Sequence, residues 1–148
     1  MSVEQHHGRT RVVVGIDGSP PSKAALRWAI RYAGFTDGVV DAVIAWDYPT
    51  SYGWAPVIDE ESVQDVAANT LEKTVREATA DGPTVQVVRA VVQGHPAQVL
   101  VDEARGADIL VVGNRGHGAF TSALIGSTSE RCVRHALCPV VVVHAPAV

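Results

Sequence analysis

The chain has 148 residues, of which 47% are hydrophobic and 19% charged, with a net charge of −4. That is the length and make-up of one globular domain with a real core. The acidic balance excludes sequence-independent binding to nucleic acid, which needs a basic surface, and the scattered aromatics form no base-stacking platform. No apolar run approaches the roughly 18 residues of a membrane span. Met1–Arg11 is too polar to open a signal peptide, so the expected compartment is the cytoplasm.

Residues 1–10 read as a flexible polar tail ahead of a single domain over 11–148; the adjacent His6 and His7 in that tail do not make a metal site. Arg11–Ile16 (RVVVGI) is a continuous apolar strand. Ser19 then caps a helix that opens on Pro20 and Pro21, carries Ala25, Trp28, Ala29, Tyr32 and Ala33 on one face, and is expected to stop at Gly34. Val39–Trp46 is the second strand. Trp46, Tyr48, Tyr52 and Trp54 gather around the loop Asp47–Pro56, as a flap over a ligand or as a loop packed on the next helix. That helix covers about Asp59–Ala80, with a stripe of Val63, Val66, Ala67, Thr70, Leu71, Val75 and Ala78, and Asp81-Gly82-Pro83 breaks it. Val85–Val92 is the third strand, Pro96–Arg105 a short helix, Asp108–Val112 the fourth strand, Ser127–Leu137 a helix and Pro139–His144 the fifth strand.

Short Val-rich strands alternating with helical crossovers predict an α/β fold: a doubly wound, Rossmann-like, five-stranded parallel sheet with helices on both faces. With strand order 3-2-1-4-5, the ligand crevice lies beyond the carboxyl ends of the first and fourth strands. Two motifs converge there. Gly15-Ile16-Asp17-Gly18-Ser19 leaves the first strand. Gly113-Asn114-Arg115-Gly116, then nine residues, then Gly126-Ser127 leaves the fourth and enters a helix. Glycines on such a crossover let the backbone approach a ligand, and the helix N-terminus adds donors and a favourable dipole, which together make a phosphate cradle.

These residues resemble the universal stress protein family, in its ATP-binding branch, over about Arg11 to His144. The family signature G-x2-G-x9-G-(S/T) is met by Gly113, Gly116, Gly126 and Ser127; Gly15–Ser19 and Gly94-His95-Pro96 also look like family elements. The resemblance implies ATP, with ADP or AMP as alternatives and Mg2+ as a companion ion. It places Asp17, with Gly15, Gly18 and Ser19, on the adenosine and metal-facing side. Ala45 would offer its backbone to adenine, although Ile44 stands where the family often has histidine. Gly94 would line the ribose side. Gly113, Gly116, Gly118 and Gly126 would bring the backbone to ribose and phosphates, and Ser127 and Thr128 would donate to the terminal phosphates.

Other readings stay open for the same residues. Asp17 also suits an Asx-turn leading into the Ser19 cap. Ser127-Thr128-Ser129-Glu130 is a capping-box pattern in which Ser127 caps and Glu130 reaches back. Arg115 offers a phosphate fork or is a solvated loop charge. His95 and His117 are pH-sensitive contacts or ordinary loop residues. Cys132 and Cys138 have neither zinc nor CxxC spacing and read as small buried hydrophobes.

Pro139–His144 is flat, apolar and at the sheet edge, so pairing antiparallel with a second copy through Val140–Val143 gives a two-fold homodimer; a covering C-terminal tail is the alternative. The family resemblance implies the same dimer. The enzyme reading lacks parts: there is no GxxxxGK[ST] lysine, no dinucleotide fingerprint after the first strand, and no general base beside the cradle except His117. The expected function is therefore a nucleotide-dependent regulatory stress-response protein with no or slow hydrolysis. A slow phosphate-transfer enzyme and a nucleotide-free chaperone-like dimer are the alternatives.

Overall fold

Valine-rich segments with no polar break favour extended chain, and here they assemble into a sheet buried on both faces. A computed structural model describes residues 8–48, 60–82, 85–115 and 125–145. Within these, the chain runs β1 (Arg11–Ile16), α1 (Pro20–Thr36), β2 (Val39–Trp46), α2 (Glu60–Ala78), β3 (Gln86–Gln93), α3 (Pro96–Glu103), β4 (Ile109–Gly113), α4 (Ser127–His135) and β5 (Val140–Val143). The sheet order is β3-β2-β1-β4-β5 and every pairing is parallel, as the strand-helix alternation predicts.

Period-two alternation divides the strands between two cores. Val12, Val14 and Ile16 of β1 face Ala25, Leu26 and Ala29 of α1 and Ala67, Leu71 and Val75 of α2. Val13 faces the other way, with Val43, Leu110 and Val112, toward Val99 and Leu100 of α3 and Cys132 of α4. Two helices therefore cover each face, and the carboxyl ends of all five strands emerge on one rim.

Two local expectations are corrected. Gly34 does not stop α1; the helix continues to Thr36 and ends on Asp37, which adopts a left-handed conformation and donates its N–H to Ala33 O. Gly34 is exposed, where a helical glycine costs only about 1 kcal/mol relative to alanine. Helix termination falls instead at Asp37, and Gly38 after it is demanded by packing, since a Cβ there would stand 2.6 Å from Thr10 O. Val66 is not part of the buried stripe of α2: it is 65% exposed, and Thr74 is buried in that helix. Thr74 satisfies its hydroxyl by donating to Thr70 O at 2.8 Å, which makes burial of a polar side chain affordable.

At the opposite rim, Arg11 and Asp41 form a buried ion pair, Nε to Oδ2 at 2.6 Å. The same guanidinium donates to Glu103 O at 3.0 Å and Arg105 O at 3.3 Å, and the Arg11 backbone N–H donates to Asp108 Oδ2 at 2.8 Å. One side chain thus ties the start of β1 to β2 and to the end of α3.

Cys132 is fully buried and Cys138 half-buried, both as free thiols, as expected of small hydrophobes. Burial pushes the Cys132 thiol up to about 11, with neighbouring Cys138 adding to the rise. The four residues of β5 are each half-buried at the sheet edge.

Candidate nucleotide site

The rim between β1 and β4 is assembled by backbone contacts. After Ile16, Asp17 Oδ1 accepts from Ser19 N at 2.9 Å and from the Ser19 hydroxyl. Ser19 Oγ accepts from Ser22 N at 3.3 Å, and Ser22 Oγ accepts from Asp17 N at 3.2 Å while donating to Ser19 O at 3.1 Å. Asp17 therefore does make the Asx-type turn, and the Ser19 side chain is committed to capping α1. Gly18 sits between them with φ +83°, a conformation that glycine adopts without strain. Because Pro20 and Pro21 occupy the first turn and lack N–H groups, the start of α1 has few donors for an anion.

Across the crevice, β4 ends on Gly113. A Cβ there would stand 2.7 Å from Pro21 C and Cβ and 2.9 Å from Ser22 N. The carboxyl end of β4 thus rests on the first turn of α1, which brings Asp17–Ser19 and Gly113–Arg115 together as the sequence predicts. Gly15 has a packing role of its own: a Cβ there would lie 2.6 Å from Leu100 Cδ1 of α3.

The chain returns to this rim at Gly126, whose N–H donates to Asn114 O at 2.6 Å. Gly126 is the N-cap of α4, and among the described residues no side chain caps that helix. The expected capping box is corrected here. Ser127 lies inside the helix, and Glu130 pairs with Arg134 at 2.9 Å one turn on. Ser129 makes the tie instead, its buried hydroxyl donating to Gly113 O at 2.5 Å. This bond pulls the first turn of α4 against the end of β4, so a local cap is replaced by a long-range one. The N–H groups at the start of an α-helix have no intrahelical acceptor, and here the N-cap Gly126 offers no side-chain bond to those that follow it.

The remaining candidates fall on the same rim. Ladder pairing of β2 with β1 ends at Ile44↔Ile16, so Ala45 and Trp46 extend past β1 while still paired with Val92 and Gln93 of β3. Gly94 follows β3 with φ +144° and donates its N–H to Trp46 O at 2.7 Å. His95 caps α3, its Nδ1 accepting from Ala97 N at 3.3 Å, so it is a structural residue of that turn. Arg115 is half-buried and follows the buried Asn114, whose N–H donates to Val143 O of β5 at 2.8 Å. Trp46 is buried and meets the half-exposed Tyr48 edge to face at 5.8 Å. Gly116, His117, Gly118, Tyr52 and Trp54 lie outside the described residues.

Sequence reasoning did not single out Ser22, Asn114 or Ser129 for the site. Ser22 had a readable signal, the third position after a cap; the bonds of Asn114 and Ser129 join segments distant in the chain and have no local signature.

Among the described residues no group of three or more His, Cys, Asp or Glu side chains is arranged to hold a metal ion, and no helix is long and apolar enough to cross a membrane.

The fold is a doubly wound parallel sheet of the α/β class, with the N-terminus of α4 beside the β1/β4 switch point, the place where such sheets commonly take ligands. The Universal stress protein family model matches residues 8–144, and the chain belongs to that family. A universal stress protein of Mycolicibacterium smegmatis is 34% identical over 142 residues, covering 90% of this chain and 47% of its own length. The chain spans about half the length of the curated relatives it matches. The fold is similar to UspA from Lactobacillus plantarum, with a TM-score of 0.77 at 24% identity over 92% of this chain and 99% of that one. It is also similar to a universal stress protein crystallised in complex with cAMP, with a TM-score of 0.69 at 28% identity over 93% of this chain and 98% of that one.

Proposed function

We propose that this chain binds an adenine nucleotide, ATP by preference, beyond the carboxyl ends of β1 and β4, and acts as a nucleotide-dependent regulatory dimer in the stress response. The observation that carries the reading is the first turn of α4, whose N-cap Gly126 makes no side-chain cap bond and which is tied to β4 through Ser129 and Gly113. The N–H groups of Ser127 and Thr128, with their hydroxyls, would take the terminal phosphates. Gly126, Gly116 and Gly118 would let the backbone follow them, and Arg115 would add its fork. Ala45, past the end of the β1 ladder, would meet adenine through its backbone, and Gly94 would line the ribose. Gly15 and Gly113 shape the crevice by packing, and Gly18 and Ser19 fix the turn that presents Asp17. A Mg2+ ion would be held chiefly by the phosphates, with Asp17 the nearest acid of the turn.

The cAMP complex of a relative at 28% identity supports an adenine ligand. A bound ATP would supply a ligand whose presence or absence alters shape or assembly. Without a P-loop lysine the residues are suited to holding the phosphates, so hydrolysis is absent or slow. The dimer would form by antiparallel pairing of Val140–Val143 across a two-fold axis, which removes the half-buried edge of β5.

The test is direct. Protein purified without added nucleotide is denatured, and the supernatant chromatographed for ATP, ADP and AMP, alongside calorimetry with Mg2+ present. The reading expects a stoichiometric adenine nucleotide, and loss of binding without unfolding in Gly126→Leu. A clean supernatant with no calorimetric binding would sink it. Multi-turnover phosphate release lost in His117→Ala would replace it with the enzyme reading.

A further inference from the structure

Against the Asp17–Gly18 turn, α1 and α2 leave an open cavity of about 230 Å3, lined by Asp17, Gly18, Lys23, Thr70, Lys73 and Thr74. We infer that this cavity is a second, smaller anion site, which takes inorganic phosphate or the phosphoryl group of a small phosphomonoester. The inference shares the Asp17–Gly18 turn with the nucleotide reading but does not require a nucleotide to bind.

Size limits the occupant first. Pockets for drug-sized ligands run from about 300 to 1,000 Å3, so 230 Å3 suits a small ion with its waters and not a nucleotide. Charge selects the sign. Among the described residues the lining holds two lysines, Lys23 and Lys73, and one acid, Asp17, with Glu77 beside Lys23 outside the lining. The Asp17 carboxylate already accepts two bonds from Ser19 through Oδ1. A cation would be repelled by both lysines, whereas a phosphate dianion gains two charge-assisted bonds from them.

The lysines come from different helices and are available. Lys23 lies one residue past the Ser22 that Ser19 caps, so α1 fixes its origin at the crevice rim. Its nearest acid, Glu77, is 3.9 Å away, and both side chains are substantially exposed to water, a pairing that contributes little and yields to a dianion. Lys73 is an exposed residue of α2, and Thr70 and Thr74, one helical turn apart, flank it on the cavity side. The Thr74 hydroxyl donates to Thr70 O in the free protein, and rotation of that hydroxyl would turn it to an anion oxygen. A bound phosphate would bridge α1 to α2.

The experiment is a titration of 15N-labelled full-length chain with inorganic phosphate at low ionic strength, followed residue by residue by NMR. Saturable shifts are expected for the amides of Gly18, Lys23, Thr70, Lys73 and Thr74. Lys73→Met and Lys23→Met keep the aliphatic stem and remove the charge; each should weaken binding about tenfold, the loss of one charge-assisted bond. Lys73→Gln gives the same readout should the Met variant fold poorly. Glycerol 3-phosphate binding tighter than inorganic phosphate would identify a phosphomonoester as the ligand, and equal binding would identify the free ion. Saturable shifts confined to Gly126–Ser129, or Lys variants that titrate as the parent does, would overturn the proposal.

Discussion

Gly113 and Pro21 touch backbone to backbone: a methyl group at residue 113 would stand 2.7 Å from Pro21 Cβ and from its carbonyl carbon. The first glycine of the G-x2-G-x9-G-S pattern is therefore demanded by the packing of β4 on α1. Gly113→Ala should destabilise the fold by about 1–3 kcal/mol, the usual cost of overpacking. It should also weaken nucleotide binding, because moving α1 moves the Asp17 turn. Urea unfolding together with calorimetry checks both; an unchanged midpoint would show that α1 yields freely at that contact.

The Ser129 bond to Gly113 O separates two roles that neighbouring hydroxyls could share. Ser129→Ala removes the side-chain donor from the half-buried Gly113 carbonyl, and the expected loss is about 1 kcal/mol of stability. Ser127→Ala, at an exposed position in the same turn, should leave stability nearly unchanged while lowering nucleotide affinity. Equal stability losses in the two variants would mean that the tie from Ser129 is not what anchors α4.

How far the sequence could be read follows from where each determinant acts. The five strands are legible because Val-rich runs are buried on both faces, and their order follows from right-handed crossovers. Gly113, Gly116, Gly126 and Ser127 are legible as spacing, although their division between packing and ligand is not, since Pro21 lies in another element. The capping box at Ser127 fails because three hydroxyl residues in a row fit several caps, and the choice is made by bonds to Asn114 and Gly113 from elsewhere in the chain. Gly34 misleads because glycine ends helices mainly where the backbone must turn left-handed, and here that turn is made by Asp37.

The Arg11–Asp41 pair was legible only as two charges in apolar strands. Both side chains are buried, and Asp41 Oδ1 has no hydrogen-bond partner beyond the ion pair made by Oδ2. Arg11→Met strands that carboxylate and the carbonyls of Glu103 and Arg105. The expected loss is about 3–5 kcal/mol, the usual penalty for breaking a buried pair. The double variant Arg11→Met with Asp41→Leu should recover part of it, because no buried charge remains. Denaturant melts of the three proteins decide the point; a double variant no more stable than Arg11→Met would show that the carbonyl bonds, and not the charge, dominate.

Cys132 makes stability fall at alkaline pH. Its thiol is raised from an ordinary value of 9.0 to about 11, chiefly by burial. The folded state thus holds a proton that the unfolded chain has already released over that window. Fewer protons bound in the unfolded state means that stability decreases as pH rises, by about 1.4 kcal/mol per pH unit between about 9 and 11. Below pH 9 both states keep the proton and the effect vanishes. Cys132→Ala should flatten this decline while lowering stability modestly at neutral pH through the lost contacts. Urea midpoints measured from pH 7 to 11 on both proteins test the assignment, and parallel curves would place the alkaline sensitivity on another group. The same burial should make Cys132 inert to iodoacetamide at pH 8 until the domain is unfolded, with labelling read by mass spectrometry.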